Sequence, residues 1–237
     1  MKGQPRRRRS TEPAARPSRR PRDRAAFKIH PDVQQVEPAD LTRELIATCS
    51  PIPYPEPGDR PRYAIERNAL GADYTAQLRG EIAANESRFF RRDFARRADW
   101  SLANVKWPAL DVLKAKLTDD CNRAADALGV DRFDVSRIET HAIGYHDGDH
   151  ISWHTDHYSS SGFDAAETRR LTYCYYLQEQ PREWSGGGME LFDGTVLPHE
   201  DDMLVWSYPY QIHRVRPVEG WSPSFIHGRW TVTGWLH

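Results

Sequence analysis

The chain has 237 residues, 38% of them apolar, and 33 Lys plus Arg against 34 Asp plus Glu. The near-neutral total conceals an uneven distribution, because residues 1–24 hold ten basic and two acidic residues, a net of +8, and leave the remainder at −9. No apolar run reaches the 18 to 20 residues that span a bilayer, and the N-terminus lacks the apolar stretch of a secretory signal, so a soluble intracellular protein is expected.

Residues 1–26 carry Arg, Pro, Ser and Ala among other small or polar residues and hold no Leu, Ile, Val or Phe, a composition that cannot bury enough surface to offset its ordering entropy. They read as a disordered tail, and residues 27–237 as the folded domain. Leu41, Leu45 and Ile46 suggest a short helix ended by the Pro-rich stretch 51–58. A second helical region runs through Tyr74–Ile82. A third follows Pro108, with Leu113, Leu117, Cys121, Ala124 and Leu128 at three- and four-residue spacing and Gly129 as the stop. Beyond Val130 the period becomes two. Candidate strands are 137–145, 150–157, 171–177, 189–192, 195–197, 203–206, 212–218 and 229–236, with Asp193-Gly194 read as a type I′ hairpin turn. The fold class expected is mainly β with α: a jelly-roll (double-stranded β-helix) core over 136–237, braced by helical support from 27–135. Trp153, Trp184, Trp206, Trp221, Trp230 and Trp235 are read as filling between the two sheets. Cys49, Cys121 and Cys174 are scattered and form no C-x-x-C pair, which suggests reduced, buried thiols.

Five of the ten His lie between His141 and His157. His146, His150 and His154 recur every fourth residue, but Gly144, Gly148 and Ile151 argue against a helix there. On a strand, His154 and Asp156 project from one face, since side chains alternate. A third ligand can arrive from a distant strand when the barrel closes, and His213 is the best-placed candidate. Two imidazoles and a carboxylate on one side of a metal leave other positions open, the donor set of non-haem Fe(II) oxygenases. His199-Glu200-Asp201 repeats the H-x-D pattern within an acidic stretch that reads as a solvated turn.

The blocks around these residues carry a resemblance. Tyr145-His-Asp-Gly-Asp-His-Ile-Ser-Trp-His-Thr-Asp156, the run 170–177, Gly186-Gly-Gly-Met-Glu-Leu-Phe192, His213–Val218 and Arg229–Trp235 follow in order. Together they resemble the catalytic domain of the Fe(II)- and 2-oxoglutarate-dependent dioxygenases, nearest in pattern to the prolyl hydroxylases. The resemblance implies Fe(II) held by His154, Asp156 and His213, with 2-oxoglutarate and O₂ as cosubstrates and ascorbate as a possible auxiliary reductant. It gives Arg229 the distal carboxylate of 2-oxoglutarate, Tyr176 a hydrogen bond to the same group, and Tyr145 a place in the cosubstrate pocket. The connection 219–228 before Arg229 is longer than the family's, which brings Arg214 and Arg216 into question; both should face away from His213. Hydroxylation of an amino-acid, peptide or small-molecule substrate is the implied outcome. Asp156 stands where related halogenases carry a small residue, which disfavours halogenation. Oxidative demethylation, desaturation or ring formation would use the same centre. The Arg-rich tail could attract nucleic acid, although the acidic body would repel it.

Overall fold

The computed structural model describes residues 63–94, 97–156, 168–220 and 224–237. The expected tail, the helix at 41–46, Cys49, Trp221 and most of the loop 159–168 lie outside these residues. In chain order the elements are β1 (Tyr63–Arg67), α1 (Ala72–Ala84), β2 (Phe90–Phe94), β3 (Arg97–Ala103), α2 (Leu110–Leu128), β4 (Ile138–Tyr145), β5 (His150–His154), β6 (Leu171–Leu177), β7 (Ser185–Gly186), β8 (Met189–Leu191), β9 (Met203–Ser207), β10 (His213–Val215), β11 (Val218–Glu219) and β12 (Arg229–Leu236). No helix among them is long and apolar enough to cross a membrane.

The main antiparallel sheet runs β1-β9-β6-β12-β4-β3-β5-β10-β8, with β2 paired to β3. Strand β3 joins the two halves: Trp100–Ala103 pair with β4, whereas Arg97 and Ala98 pair with β5. The sheet curls at that junction into the jelly-roll the strand spacing suggests. Alternation then sorts the side chains. Leu171, Tyr173, Tyr175 and Leu177 of β6, with Trp230, Val232 and Leu236 of β12, pack outward in one buried cluster with Leu78 and Ile82 of α1 and Leu113, Leu117 and Cys121 of α2. Each fully buried Leu contributes about 1.5–3 kcal/mol of transfer free energy, so this helix-to-sheet layer is the main apolar reserve. The opposite parity, Thr172 and Cys174 on β6 and Arg229, Thr231, Thr233 and Trp235 on β12, lines an interior cavity.

Several expectations are corrected. Residues 63–103 add three strands to the two-helix brace, because the charges of these segments are consumed in pairs: Asp99 is fully buried between Arg92 and Arg97, and Arg91 reaches Asp149. Trp206 and Trp230 pack on the helical side with Trp107, not between the sheets. The segment 212–218 splits into β10 and β11 at Pro217, which has no N–H for a ladder. Residues 195–197 make one isolated bridge, Glu190 to Val196. The turn between them is not type I′: only Gly194 has positive φ (87°), the Gly194 N–H reaches the Leu191 carbonyl, and the Leu191 N–H donates to Thr195 at 2.8 Å. A three-residue connection with Gly in the left-handed position serves instead. Helix α2 stops at Gly129, φ 67°, as its position after the last apolar repeat suggests. Cys121 and Cys174 are free, buried thiols.

Candidate metal centre and cosubstrate pocket

His154 and His213 stand directly opposite each other on the adjacent strands β5 and β10, with ring centroids 4.2 Å apart. Asp156 follows two residues after His154, beyond the strand end, its N–H bound to the Pro209 carbonyl at 2.9 Å. The Asp156 oxygens lie 3.8 Å from His154 Nε2 and 4.0 Å from His213 Nε2, too far for hydrogen bonds, and all the ligand atoms fall within 4.8 Å of one another. Each imidazole is held from behind. His154 Nδ1 lies 2.8 Å from the Ser152 carbonyl and His213 Nδ1 2.8 Å from the Gln211 carbonyl, so in both rings Nδ1 carries the proton and Nε2 presents a lone pair to the centre.

Electrostatics favour the same state. Burial and the neighbouring His213 hold His154 well below the usual imidazole range, hence neutral. Burial alone would raise the Asp156 carboxyl, but His213, His154 and Arg169 together pull it below its ordinary value. Two imidazole nitrogens and one carboxylate converging on a point suit a divalent first-row cation. Arg169 also donates to the Asp156 carbonyl, is bridged to Glu139 at 3.0 Å, and sits over the Trp235 indole, 3.5 Å from the ring centroid.

The cavity beside these ligands measures about 210 Å³. Arg229, 1% exposed, stands in its wall. Its guanidinium lies over the rings of Tyr145 (4.8 Å) and Tyr176 (5.1 Å), has no carboxylate partner among the described residues, and its Nε has no hydrogen-bond partner. A buried cation left in this state is costly unless an anion joins it, so the pocket fits a ligand carboxylate. Tyr145, opposite Arg229 on β4, lines the cavity, whereas Tyr176 sits behind Arg229 and accepts its hydrogen bond at 3.4 Å. Burial raises both phenols above their ordinary range, so both stay protonated.

The remaining candidates separate. Arg214 and Arg216 both bind Glu190 at 2.7 Å on the outer side of β10. His199 is stacked on Trp184 at 5.3 Å and bound to Arg182, apart from the three-ligand group. The stretch around it is no solvated turn: Asp201 pairs with Arg79, and buried Asp202 accepts the Leu70 and Gly71 N–H groups and the Tyr175 hydroxyl. His146 packs against Phe225, and His150 turns to the Gly148 carbonyl. Sequence reading missed Arg97 and Arg169, both cavity-lining. Arg169 precedes β6 and escapes the strand's parity, so alternation carries no signal for it.

Residues 140–237 match the family model of the 2OG-Fe(II) oxygenase superfamily. This stretch is similar to a 2OG-Fe(II) oxygenase domain. An uncharacterised PKHD-type hydroxylase of Synechocystis is 26% identical over 155 residues, which cover 59% of this chain and 50% of the relative. The chain thus spans about half the length of the curated relative it matches. Among solved structures, a Pseudomonas putida prolyl-4-hydroxylase superposes with a TM-score of 0.59 at 20% identity, covering 74% of this chain and 92% of that one. A Trichoplax adhaerens prolyl hydroxylase, solved with a hypoxia inducible factor peptide fragment, gives 0.55 at 18% identity over 74% and 83%. The 2OG-Fe(II) oxygenase family uses Fe(II), 2-oxoglutarate and O₂, and the donor set here is compatible with that iron.

Proposed function

We propose that this oxygenase domain is a dioxygenase that hydroxylates an unactivated C–H bond of an amino-acid or peptidyl side chain of prolyl type. The observation that carries the reading is the combination, around one cavity, of a His154–Asp156–His213 donor set and a buried Arg229 without a carboxylate partner. Fe(II) with 2-oxoglutarate and O₂ would supply the oxidation, one oxygen atom ending in succinate and one in the substrate as CO₂ leaves. The chain's own residues set the stage. The Ser152 and Gln211 carbonyls fix both histidine tautomers, so the metal-facing nitrogens need lose no proton on binding. Arg229 would take the distal carboxylate of 2-oxoglutarate through its planar fork, a geometry Lys lacks. Tyr176 would brace that guanidinium, and Tyr145 would cover the cosubstrate's apolar stem. Asp156, a carboxylate and not a small residue, leaves no ligand position for halide. The amino-acid or peptide substrate is supported by the likeness to prolyl hydroxylases, one of them holding a peptide.

The test is anaerobic Fe(II) titration of the full chain with and without 2-oxoglutarate. A visible charge-transfer band requiring both is expected, followed in air by succinate release that rises with an amino-acid or peptide substrate. Stoichiometric Fe(II) binding with no band on adding 2-oxoglutarate would defeat the reading.

A further inference from the structure

The cavity wall carries three arginines, Arg97, Arg169 and Arg229, against one carboxylate, Asp156. Two of the three cations have their terminal nitrogens engaged or assigned: Arg169 donates to Glu139, an acid that Arg137 also reaches, and to the Asp156 carbonyl, and Arg229 would take the distal carboxylate of 2-oxoglutarate on the reading above. Arg97 is different. It shares a single acid, Asp99, with Arg92, because Arg92 and Asp99 are cross-strand partners on β2 and β3 and Arg97 lies two residues along the same face. Asp99 is fully buried and satisfied, so the trio retains one positive charge. Arg97 binds Asp99 through Nε, and its terminal nitrogens make no hydrogen bond to the described residues. Its side chain is 29% exposed, stands opposite Ile151, and shares the cavity lining with His154 and Thr155. Phe94, its other cross-strand neighbour, is 65% exposed, so a cation and an apolar ring adjoin.

A guanidinium anchored by Nε, with its forked end unpaired among the described residues and sharing the cavity with His154 and Asp156, is arranged to receive a planar anion in two parallel hydrogen bonds. We infer that Arg97 is a substrate-binding residue, that the substrate presents a carboxylate to it, and that a free α-amino acid fits the site better than its carboxamide. The inference rests on the oxygenase reading of the cavity.

The test uses the full chain loaded anaerobically with Fe(II) and 2-oxoglutarate, titrated with the free L-amino acids and with their α-carboxamides, and read as a shift of the visible band. At least one acid should bind ten or more times tighter than its amide. Arg97→Gln should bring acid and amide to the same affinity, Arg97→Lys should restore part of the difference, and the 2-oxoglutarate titration should be unchanged in both. Asp99 keeps Arg92 as its partner in these variants, and the unchanged 2-oxoglutarate titration reports that the fold is intact. Arg214→Gln, on the outer side of β10, is the control and should retain the preference. Equal binding of acids and amides by the wild type, or no binding of any acid, overturns the inference. So does an Arg97→Gln protein that keeps the preference or loses 2-oxoglutarate. If the wild type forms no band at all, the oxygenase reading has failed rather than the Arg97 subsite.

Discussion

Arg229 donates to the Tyr176 hydroxyl at 3.4 Å, and both residues are buried, at 1% and 0% exposure. The phenol accepts one hydrogen bond and cannot neutralise a charge, so the guanidinium remains electrostatically incomplete. Arg229→Ala should therefore raise the apparent constant for 2-oxoglutarate by about 10- to 100-fold, as expected for a charge-assisted bond of about 1.5–3 kcal/mol. Arg229→Lys should fall between Ala and wild type. Fe(II) affinity without cosubstrate should hold in both. Arg214→Ala and Arg216→Ala, whose partner is Glu190, should leave the constant within about twofold. Steady-state kinetics and metal titration decide.

Removal of any donor atom should be felt by the metal. His154→Ala, Asp156→Ala and His213→Ala should each weaken Fe(II) or Co(II) binding by at least tenfold, measured by titration of the metal-free chain. His199→Ala should bind as wild type, because that ring belongs to the Trp184 stack. Undiminished metal content in Asp156→Ala would remove the carboxylate from the donor set.

Asp202 organises the entry to α1. Its two oxygens accept the Leu70 N–H at 2.8 Å, the Gly71 N–H at 2.7 Å and the Tyr175 hydroxyl at 2.6 Å. Asp202→Ala strands three donors, two of them main-chain groups just before the helix, and should cost about 2–4 kcal/mol in denaturant unfolding. Metal binding at low temperature should persist.

Glu139 carries the pH dependence. Burial would raise its carboxyl, but His141 and Arg169, with His237, hold it down at about 2. A depressed folded-state value means its contribution is complete above the unfolded value, about 4.3, and is lost as pH falls from there towards 2. The stability advantage of wild type over Glu139→Gln, about 1–3 kcal/mol at pH 7, should shrink as pH drops through that window. An advantage that grew on acidification would contradict the assignment.

What the sequence disclosed follows what its residues do. Leu171–Leu177 and Arg229–Leu236 were recognisable end to end, the first as a continuous apolar and aromatic run buried on both faces, the second by its alternation. The candidate donor set was legible in part for the same reason: His154 and Asp156 are two apart, so both project from one face, whereas His213 had to be sought on a distant strand. Strands β2 and β3 were not. Phe90-Arg-Arg-Asp-Phe94 and Arg97-Ala-Asp-Trp-Ser-Leu-Ala103 fall within the span expected as helical support, and nothing marks them as strands until Asp99 is seen to take two arginines at once, a contact that exists only after the strands have paired. Arg97 was hidden with them. The hairpin at Gly194 shows a smaller failure, since Asp-Gly suits both a two-residue turn and the three-residue turn actually used.

Strand β12 lies between β6 and β4, although it is the last strand in sequence. During synthesis its two neighbours must wait, each with one unsatisfied edge, until Arg229–Leu236 arrives to join them. Every pairing of β12 closes a long loop, which places the assembly of this sheet among slow, non-local steps. The inward face of that late strand carries Arg229, Thr231, Thr233 and Trp235. On the proposed reading, His154 and His213 can therefore be paired across β5 and β10 before the strand that would hold 2-oxoglutarate has docked, and competence for oxidation would wait on that docking.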